Sequence, residues 1–435
     1  MAEDASYDSP FTIYHSRAMR YAYTLLLYFL LPYVLARLVW RARRQRGYLE
    51  HVAERFGRYS QGADGPLIWV HAVSVGETRA AEPLIHALRG KYPGHRILLT
   101  HMTPTGREAG EALFGGNVTR CYLPYDYPGA VMRFLRHFRP RAGVLMETEI
   151  WPNLIYACRA QGVPLHLVNA RLSEKSFAGY LRFPRLVREC LAGLTAIAAQ
   201  GGDDARRLTA LGAAGVRVTG SVKFDVTPPP AQLEQGRAWR RDFGESRPVL
   251  LAASTREGEE ALLLDALAAM DVPGLLAVIV PRHPQRFDEV ERLLAARGVS
   301  CQRRSGNAAI APGTRVVLGD SMGEMFAYHA ACDVAFIGGS LLPFGGQNLI
   351  EACAVGRPVL IGPSTYNFEE AVELAVQAGA AIQVPDSAAL AREAERVLRD
   401  PAAARRMGQA GLAFCAAHRG ATARALELIQ FEPGG

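Results

Sequence analysis

The sequence has few lysines and no closely spaced cysteine pair. Only Lys91, Lys175 and Lys223 occur, although Lys and Arg together number 49. The seven cysteines are scattered, and none forms a C-x-x-C motif. This pattern is typical of a reducing compartment and argues against a disulfide framework or a zinc site. Because arginine is the ordinary cation of this chain, Lys175 and Lys223 are candidates for specific roles.

The sequence also has no D-x-D motif, no short-period repeat and no low-complexity tract. Glu147 and Glu149 form a carboxylate pair, but no third residue is spaced to complete a metal site, so we expect no metal and no cofactor. Hydrophobic residues make up 49% of the chain and charged residues 21%, which indicates a folded protein. A length of 435 residues allows two domains and an appendage.

The positive charge is concentrated at one end of the chain. The formal net charge is +7, and residues 1–60 contain nine arginines against five acidic residues. An uncharged apolar run covers residues 21–36, and about twenty helical residues span a bilayer core. The arginines Arg37, Arg41, Arg43, Arg44 and Arg46 follow this run. The pattern favours a membrane surface over nucleic acid as the partner.

We therefore predict that residues 1–46 form a membrane anchor with a basic juxtamembrane segment. The positive-inside rule would then place the remaining chain in the cytoplasm. A cleaved signal peptide is an alternative, but the run leads into arginines rather than a small-residue cleavage site. A helix that lies in the membrane surface, kinked at Pro32, is a second alternative.

Two series of apolar strands predict two parallel α/β domains. The first series lies at residues 67–73, 96–100, 118–123, 142–146, 164–168 and 194–198, and the second at 249–253, 275–280, 315–318, 333–337, 359–361 and 381–384. Helix-length segments separate the strands, as in Rossmann-like domains. The proline-rich residues 226–230 are the predicted linker. The predicted domains are residues 47–225 and 231–435, facing a cleft as in the GT-B architecture of glycosyltransferases.

Residues 338–363 form the most informative stretch. The glycine pairs Gly338-Gly339 and Gly345-Gly346 follow a buried strand, and a helical pattern opens near Asn348. Glycines at the carboxyl edge of a parallel sheet let backbone N–H groups approach a phosphate, and a helix start favours an anion. Glu351, one turn later, is a candidate for hydrogen bonds with a ribose. A plain glycine-rich turn is the alternative, but the two pairs with Asn348-x-x-Glu351 favour a nucleotide-sugar site.

Polar residues after the other strands are further candidates. Glu77 directly precedes a predicted amphipathic helix at residues 78–88. The Glu77 carboxylate either complements the helix dipole or takes a proton from an acceptor hydroxyl. Arg282 follows a strand and is suited to binding a phosphate. Lys223 ends the first domain, where it would face the cleft. His71 and His283 are more often structural than catalytic in such positions.

Taken together, the motifs resemble the Kdo transferases, membrane-associated enzymes that move 3-deoxy-D-manno-octulosonic acid (Kdo) in lipopolysaccharide synthesis. The resemblance covers nearly the whole chain. It is carried by the N-terminal apolar run and by the motifs WVHAVSVGE, YLPYD, METEIWPNL, NARLSEKS, GSVKFD, STREGEE, VPRHPQRF, MGE and GGSLLPFGGQNLIEA. Gln347 stands where the family often has histidine.

The resemblance implies a role for each matching residue. The general base falls on Glu77, and groups that assist the transition state fall on Glu147 and Lys223. The contacts to the donor, CMP-Kdo, fall on Pro281, Arg282, Met322, Gly323, Glu324, Asn348, Leu349, Ile350 and Glu351.

The resemblance also implies an activity and partners. The expected enzyme is an inverting, metal-free GT-B glycosyltransferase that transfers Kdo from CMP-Kdo to a lipid A precursor of the lipid IVA type. It would work at the cytoplasmic face of the inner membrane in a Gram-negative-type envelope and would not bind nucleic acid. Another GT-B nucleotide-sugar enzyme, either a glycolipid glycosyltransferase or an epimerase, is the alternative; an epimerase would not need the anchor.

Overall fold

The chain forms two compact units in the computed structural model. The structure describes residues 10–43, 45–60, 62 and 65–431, with only the backbone described for residues 10–18. Unit 1 comprises Met1–Asp225 and Gly420–Gly435, and unit 2 comprises Val226–Arg419. Arg44, which belongs to the predicted basic cluster, lies outside the described residues.

A long N-terminal helix, α1, covers Pro10–Ala42 and continues through Pro32. Its part Met19–Ala42 is long and apolar enough to cross a membrane, and it is the only such helix in the described part of the chain. The apolar run predicted as an anchor segment therefore lies in a helix that is able to act as an anchor.

Unit 1 contains a parallel seven-stranded sheet in the order β3-β2-β1-β4-β5-β6-β7. The strands are β1 Leu67–His71, β2 Arg96–His101, β3 Thr119–Tyr122, β4 Ala142–Met146, β5 Leu165–Ala170, β6 Ala196–Ala199 and β7 Val216–Val218. The helices along them are α2 Val75–Ala80, α3 Glu82–Lys91, α4 Pro104–Phe114, α5 Pro128–Phe138, α6 Pro152–Ala160, α7 Glu174–Tyr180, α8 Pro184–Ala192 and α9 Gly202–Ala210.

Unit 2 contains a second parallel seven-stranded sheet, in the order β10-β11-β9-β8-β12-β13-β14. Its strands are β8 Val249–Thr255, β9 Leu276–Pro281, β10 Cys301–Arg303, β11 Val316–Leu318, β12 Val334–Ile337, β13 Val359–Ile361 and β14 Ala381–Gln383. Its helices are α10 Pro230–Phe243, α11 Glu259–Ala269, α12 Phe287–Ala296, α13 Met325–Ala331, α14 Ile350–Ala354, α15 Glu369–Gln377, α16 Ser387–Arg399 and α17 Pro401–His418.

The predicted fold class is confirmed, with two parallel Rossmann-like sheets and an apolar N-terminal helix. Every predicted strand is present, because central strands covered on both faces appear in the sequence as short apolar runs. Trp69 and Leu145 pack on one face of the first sheet, whereas Ile68 and Val144 pack on the other. The single helix predicted at residues 78–88 is two helices, α2 and α3.

The last helix, α18 (Ala421–Leu428), belongs to unit 1, whereas the sequence analysis grouped residues 231–435 in one domain. Ala421 and Ala425 are buried in the same cluster as Leu84 of α3. Lys91 donates a hydrogen bond to the Leu426 carbonyl at 2.9 Å. The apolar face of α18 therefore packs in the core of the first sheet. A division of the chain into two consecutive segments cannot predict this return to unit 1.

Candidate active site

Three carboxylates gather at the carboxyl edge of the first sheet. β1 and β4 are neighbouring parallel strands, and their carboxyl ends lie side by side. Glu77 follows β1, while Glu147 and Glu149 follow β4. Both Glu147 and Glu149 raise the pKa of Glu77 electrostatically, so the topology places the three predicted groups in one site.

Glu77 takes part in the N-terminal cap of α2. The N-cap Ser74 accepts a hydrogen bond from the Glu77 N–H through its hydroxyl oxygen at 3.4 Å. The Glu77 carboxylate in turn accepts from the Val73 N–H at 2.8 Å and from the Ser74 hydroxyl at 3.0 Å. This arrangement is a variant of the capping box. The cap fixes the carboxylate at the sheet edge, so the helix-cap interpretation of Glu77 has a structural basis beside the catalytic one.

The pKa of Glu77 is raised to about 7. Burial is the largest cause, the charge of Glu147 is the second, and Glu149 adds to it, while the Val73 and Ser74 hydrogen bonds act in the opposite direction. A carboxylate with a pKa near neutrality is a better proton acceptor than an ordinary glutamate. The environment of Glu77 thus suits a general base.

Lys223 and Glu147 form an ion pair with 3.1 Å between Lys223 Nζ and Glu147 Oε1. Glu147 has a φ of 61°, in the left-handed region that side chains rarely adopt. Lys223 lies in a short 3-10 helix, Val222–Phe224, whose first N–H donates to the side chain of buried Asn169 at 3.1 Å. Asn169 lies in β5, and this hydrogen bond positions the segment that carries Lys223.

Glu149 points to a different set of partners. Its Oε2 accepts a hydrogen bond from the Trp151 indole N–H at 2.6 Å and lies 4.0 Å from His71 Nε2. His71 is fully buried beside Thr100, and burial lowers its pKa to about 3. A neutral imidazole of this kind supports the expectation that His71 is structural.

In unit 2, a buried carboxylate holds the glycine loop that follows β12. Glu259 accepts hydrogen bonds from the N–H groups of Gly339, Ser340 and Leu341 at 2.5, 2.9 and 3.0 Å, and from the Arg256 N–H at 2.8 Å. The sequence analysis gave no role to Glu259. It stands inside the STREGEE motif, but its three partners in the glycine loop lie some eighty residues away, so spacing alone gives no signal for these contacts.

The residues from Asn348 to Glu351 open α14. The Asn348 side-chain oxygen accepts from the Ile350 N–H at 3.0 Å, and its amide donates to Glu351 at 3.1 Å. The side chains of Leu349 and Ile350 are buried in the core. The side chains of Leu349 and Ile350 are therefore not available to a ligand, and the Ile350 N–H is already bonded to Asn348.

Arg282 lies directly after Pro281, the last residue of β9. Its Nε donates to the Gln347 side-chain oxygen at 3.3 Å. Gln347 thus orients the guanidinium of Arg282, the residue predicted to bind the phosphate. Arg282 and the Asn348 motif are neighbours at the carboxyl edge of the second sheet.

The third predicted donor motif, Met322-Gly323-Glu324, precedes α13. Met322 is exposed, and Gly323 has a φ of 80° that favours glycine. Glu324 Oε1 accepts hydrogen bonds from Arg304 at 2.6 Å and from Gln235 at 2.7 Å. These two partners were not predicted, because they come from distant parts of the chain.

No group of three or more His, Cys, Asp or Glu side chains is arranged to hold a metal ion within the described residues. The expectation of metal-free catalysis stays a prediction, which chelation tests.

Comparison with known proteins identifies the relatives of this chain. The family model described as 3-deoxy-D-manno-octulosonic-acid transferase matches residues 50–226, and the model for glycosyl transferases group 1 matches residues 300–413. A 3-deoxy-D-manno-octulosonic acid transferase of Bordetella pertussis is 48% identical over 94% of this chain and 99% of its own length. One from Haemophilus influenzae is 36% identical over 94% of this chain and 98% of its own.

Solved structures agree on the fold. The UDP-GlcNAc 2-epimerase of Neisseria meningitidis superposes with a TM-score of 0.58 at 16% identity, covering 83% of this chain and 99% of its own. A glycosyltransferase from Rickettsia africae gives 0.57 at 13% identity, covering 84% and 98%. These two structures show that the fold is GT-B, and the family models and the two relatives show that the chain is a glycosyltransferase. The chain belongs to the 3-deoxy-D-manno-octulosonic acid transferase family, and it is an enzyme that transfers Kdo.

Proposed function

We propose that this enzyme transfers Kdo from CMP-Kdo to a lipid A precursor of the lipid IVA type, with inversion at the anomeric carbon. The acceptor hydroxyl oxygen bonds to the anomeric carbon as its proton passes to Glu77. The bond from that carbon to the phosphate breaks, and cytidine monophosphate leaves with the electron pair. One base and one direct displacement suffice for inversion.

The observation that carries this proposal is the environment of Glu77. Its carboxylate is fixed by two hydrogen bonds, and burial beside Glu147 raises its pKa to about 7. A general base works best when its pKa is near the working pH. The Lys223–Glu147 ion pair supports a second role at the same sheet edge. Lys223 neutralises the carboxylate of the sugar as the oxocarbenium-like transition state forms.

We assign the donor to unit 2. The leaving group is a nucleoside monophosphate. Its phosphate needs a cation and backbone N–H donors, and its ribose needs hydrogen-bonding groups. Arg282 supplies the cation, and Glu351 is suited to the ribose hydroxyls. The proposed donor site is completed by Pro281, Met322, Gly323, Glu324, Asn348, Leu349 and Ile350. The side chains of Leu349 and Ile350 are buried.

We assign the acceptor to the domain of residues 47–225, joined through residues 226–230 to the donor domain of residues 231–419. A lipid acceptor suits an enzyme whose N-terminal helix is long and apolar enough for a membrane. The proposed site of action is the cytoplasmic face of the inner membrane, with residues 1–46 as the attachment.

The test is a direct product assay. The purified full-length chain is incubated with CMP-Kdo and a tetra-acylated lipid A precursor, and the product is weighed by mass spectrometry. We expect the acceptor mass to rise by one or more Kdo residues. An unchanged acceptor, in a preparation that still binds CMP-Kdo, would contradict the assigned acceptor.

A further inference from the structure

Helix α1 has one covered face and one exposed face along its length. The covered positions are partly or fully buried and recur at helical spacing: Tyr23, Thr24, Leu27, Leu31, Val34, Leu38 and Ala42. On the other side Leu25, Phe29 and Tyr33 are 72%, 80% and 63% exposed. A helix that crosses a bilayer away from its domain has no reason to be covered along one face over about six turns.

Polar groups of unit 1 fasten the N-terminal half of the helix. The Tyr23 hydroxyl donates to Asp126 Oδ2 at 3.0 Å, and the Thr24 hydroxyl donates to Asn153 Oδ1 at 3.1 Å. Asp126 and Asn153 are both buried. If α1 moved away, Asp126 would lose the Tyr23 hydroxyl and Asn153 Oδ1 would lose the Thr24 hydroxyl, and the loss of a hydrogen bond at a buried polar group is unfavourable.

Further contacts continue the attachment around the same part of α1. The Tyr127 hydroxyl donates to the Leu27 carbonyl at 3.0 Å, and the rings of Tyr127 and Tyr28 are 5.0 Å apart. The Arg20 guanidinium lies 3.4 Å from the centre of the Tyr156 ring on α6. Helix α8 also packs against α1. Three different segments of unit 1 therefore contact α1, and two of them contact it within residues 20–28.

This attachment conflicts with a spanning helix. In a single-pass anchor the N-terminal half of α1 would lie in the hydrocarbon core, far from the domain. The loops and helix ends that contact Tyr23, Thr24 and Leu27 would be drawn into the hydrocarbon with it. Lipid cannot satisfy their backbone polar groups, so irregular backbone does not face hydrocarbon. The contacts are compatible with a helix that lies along the membrane surface.

A second surface element adjoins α1. Leu181, Arg182 and Phe183 are exposed and lead directly into α8, the helix that packs against α1, and Arg185 in the first turn of α8 is exposed as well. Leu181 and Phe183 are 48% and 56% exposed. Apolar side chains interspersed with arginines match a membrane interface, where the apolar groups enter the acyl region and the cations meet anionic headgroups. Arg37, Arg43 and Arg46 add exposed positive charge near the end of α1.

We propose that α1 lies in the plane of an anionic membrane leaflet, with its Leu25–Phe29–Tyr33 face in lipid, and that the Leu181–Phe183 loop enters the same leaflet. The N-terminus and both catalytic units are then on one side of the membrane. The proposal rests on the membrane attachment given under the proposed function and refines its geometry. It gives the enzyme two lipid contacts on unit 1, the unit to which we assign the lipid acceptor.

A protease-protection experiment tests the orientation. The full-length chain carries a cleavable tag before Met1 or, as the control, after Gly435, and is expressed in Gram-negative cells. We expect protease to remove both tags from inverted inner-membrane vesicles and neither from intact spheroplasts. Removal of the N-terminal tag from spheroplasts would overturn the proposal in favour of a spanning helix. Kdo transfer is assayed in the same vesicles, so a failure of the proposed function is seen separately from a failure of the orientation.

A vesicle-binding experiment tests the second contact. The variant L181S/F183S of the full-length chain is compared with L412S, an exposed leucine of unit 2. On phosphatidylglycerol–phosphatidylethanolamine vesicles we expect the partition coefficient of L181S/F183S to fall about tenfold or more, since two large apolar side chains are removed, and that of L412S to stay unchanged. Unchanged binding by L181S/F183S would overturn the loop assignment. A shift from dimer to monomer at unchanged vesicle binding would also overturn it, in favour of a second copy of the chain as the partner.

Discussion

At the scale of single residues, the chemistry that we propose for the first unit depends on how Glu77 is held in its helix cap. Ser74 and Val73 hold the carboxylate, and burial beside Glu147 raises its pKa. The same contacts stabilise α2 and keep a proton acceptor at the edge of the sheet. Capping and catalysis are therefore not competing interpretations of Glu77, since the cap supplies the fixed geometry that a base needs.

The raised pKa of Glu77 predicts the pH dependence of the enzyme. A base must be ionised to accept a proton, so kcat/KM should fall about tenfold per pH unit below a pKa of about 7 and level off above it. Stability should have the opposite trend. Because the folded pKa lies above the unfolded value, ionisation of Glu77 costs stability as the pH rises from about 4.5 to about 7.

Both trends are measurable on one pair of proteins. We expect the melting temperature of E77Q to gain on that of the natural chain as the pH rises through this window. A kcat/KM profile that is flat between pH 5.5 and 8 (a window of about one unit and more on either side of the expected pKa) would contradict the assigned pKa.

Arg282 is the corresponding residue of the second unit. Removing its charge with R282A should weaken CMP-Kdo binding about ten- to a hundredfold, because a charge-assisted contact to phosphate contributes about 1.5–3 kcal/mol. The fold should be unaffected. The measurement is the Michaelis constant for CMP-Kdo, with R292A, an exposed arginine of α12, as the control. An unchanged constant in R282A would contradict the assignment of Arg282 to the phosphate.

At the scale of secondary-structure elements, the sequence predicts what is local and regular. Buried parallel strands such as β4 are continuous apolar runs, and all of the central ones were found. The edge strands β7 and β10 were missed, because each has only three residues and includes charged or polar side chains. The split between α2 and α3 was also missed, since the apolar pattern continues across it.

In the candidate site, too, the residues that follow predicted strands could be predicted, whereas their tertiary contacts could not. Glu77 and Glu147 follow predicted strands, and the rule that ligands bind beyond the carboxyl ends of parallel strands was enough to select them. Their grouping with Lys223 depends on the order of the strands and on a 3-10 helix that no periodicity predicts. Glu259 and Arg304 were missed because their partners are tertiary contacts.

The Gly338–Leu341 loop gives a prediction at this scale. In E259Q one carboxylate oxygen becomes an amide N–H₂ group that faces two backbone donors. We expect a loss of about 2–4 kcal/mol in the free energy of unfolding, since two buried N–H groups lose their acceptor, together with a raised Michaelis constant for CMP-Kdo. Denaturant unfolding measures the first effect. E257Q, at an exposed neighbouring position, is the control, and equal stability of the two variants would show that Glu259 does not hold the loop.

At the scale of the whole molecule, we assign different functions to the two units. The first unit has the glutamate that we propose as the base and the surface that we assign to the membrane. The second has the arginine and the glycine loop that we assign to the donor. The tail residues from Gly420 onwards return to the first unit, where Ile429 is buried. The covalent order of the chain and the order of its units therefore differ, which is the part of the architecture that the sequence did not indicate.

We predict that catalysis by this enzyme needs no metal. We expect full turnover after exhaustive treatment with EDTA, because Arg282 and the backbone at Asn348 can neutralise the leaving phosphate. The measurement is the initial rate of Kdo transfer before and after chelation, with a Mg²⁺-dependent glycosyltransferase treated in parallel as the control. A loss of turnover that added Mg²⁺ restores would contradict the metal-free mechanism.

The most direct test of the account is the turnover of E77Q. Glutamine keeps the size of the side chain and can still accept from the Val73 N–H and donate to Ser74, but it cannot take a proton from the acceptor. We predict that turnover falls about a hundred- to ten-thousandfold, while CMP-Kdo affinity stays close to that of the natural chain and the melting temperature at pH 7 is equal or higher. E82Q, in the first turn of α3, is the matched control and should keep its activity. Near-natural turnover in E77Q would contradict the account and pass the role of base to Glu147.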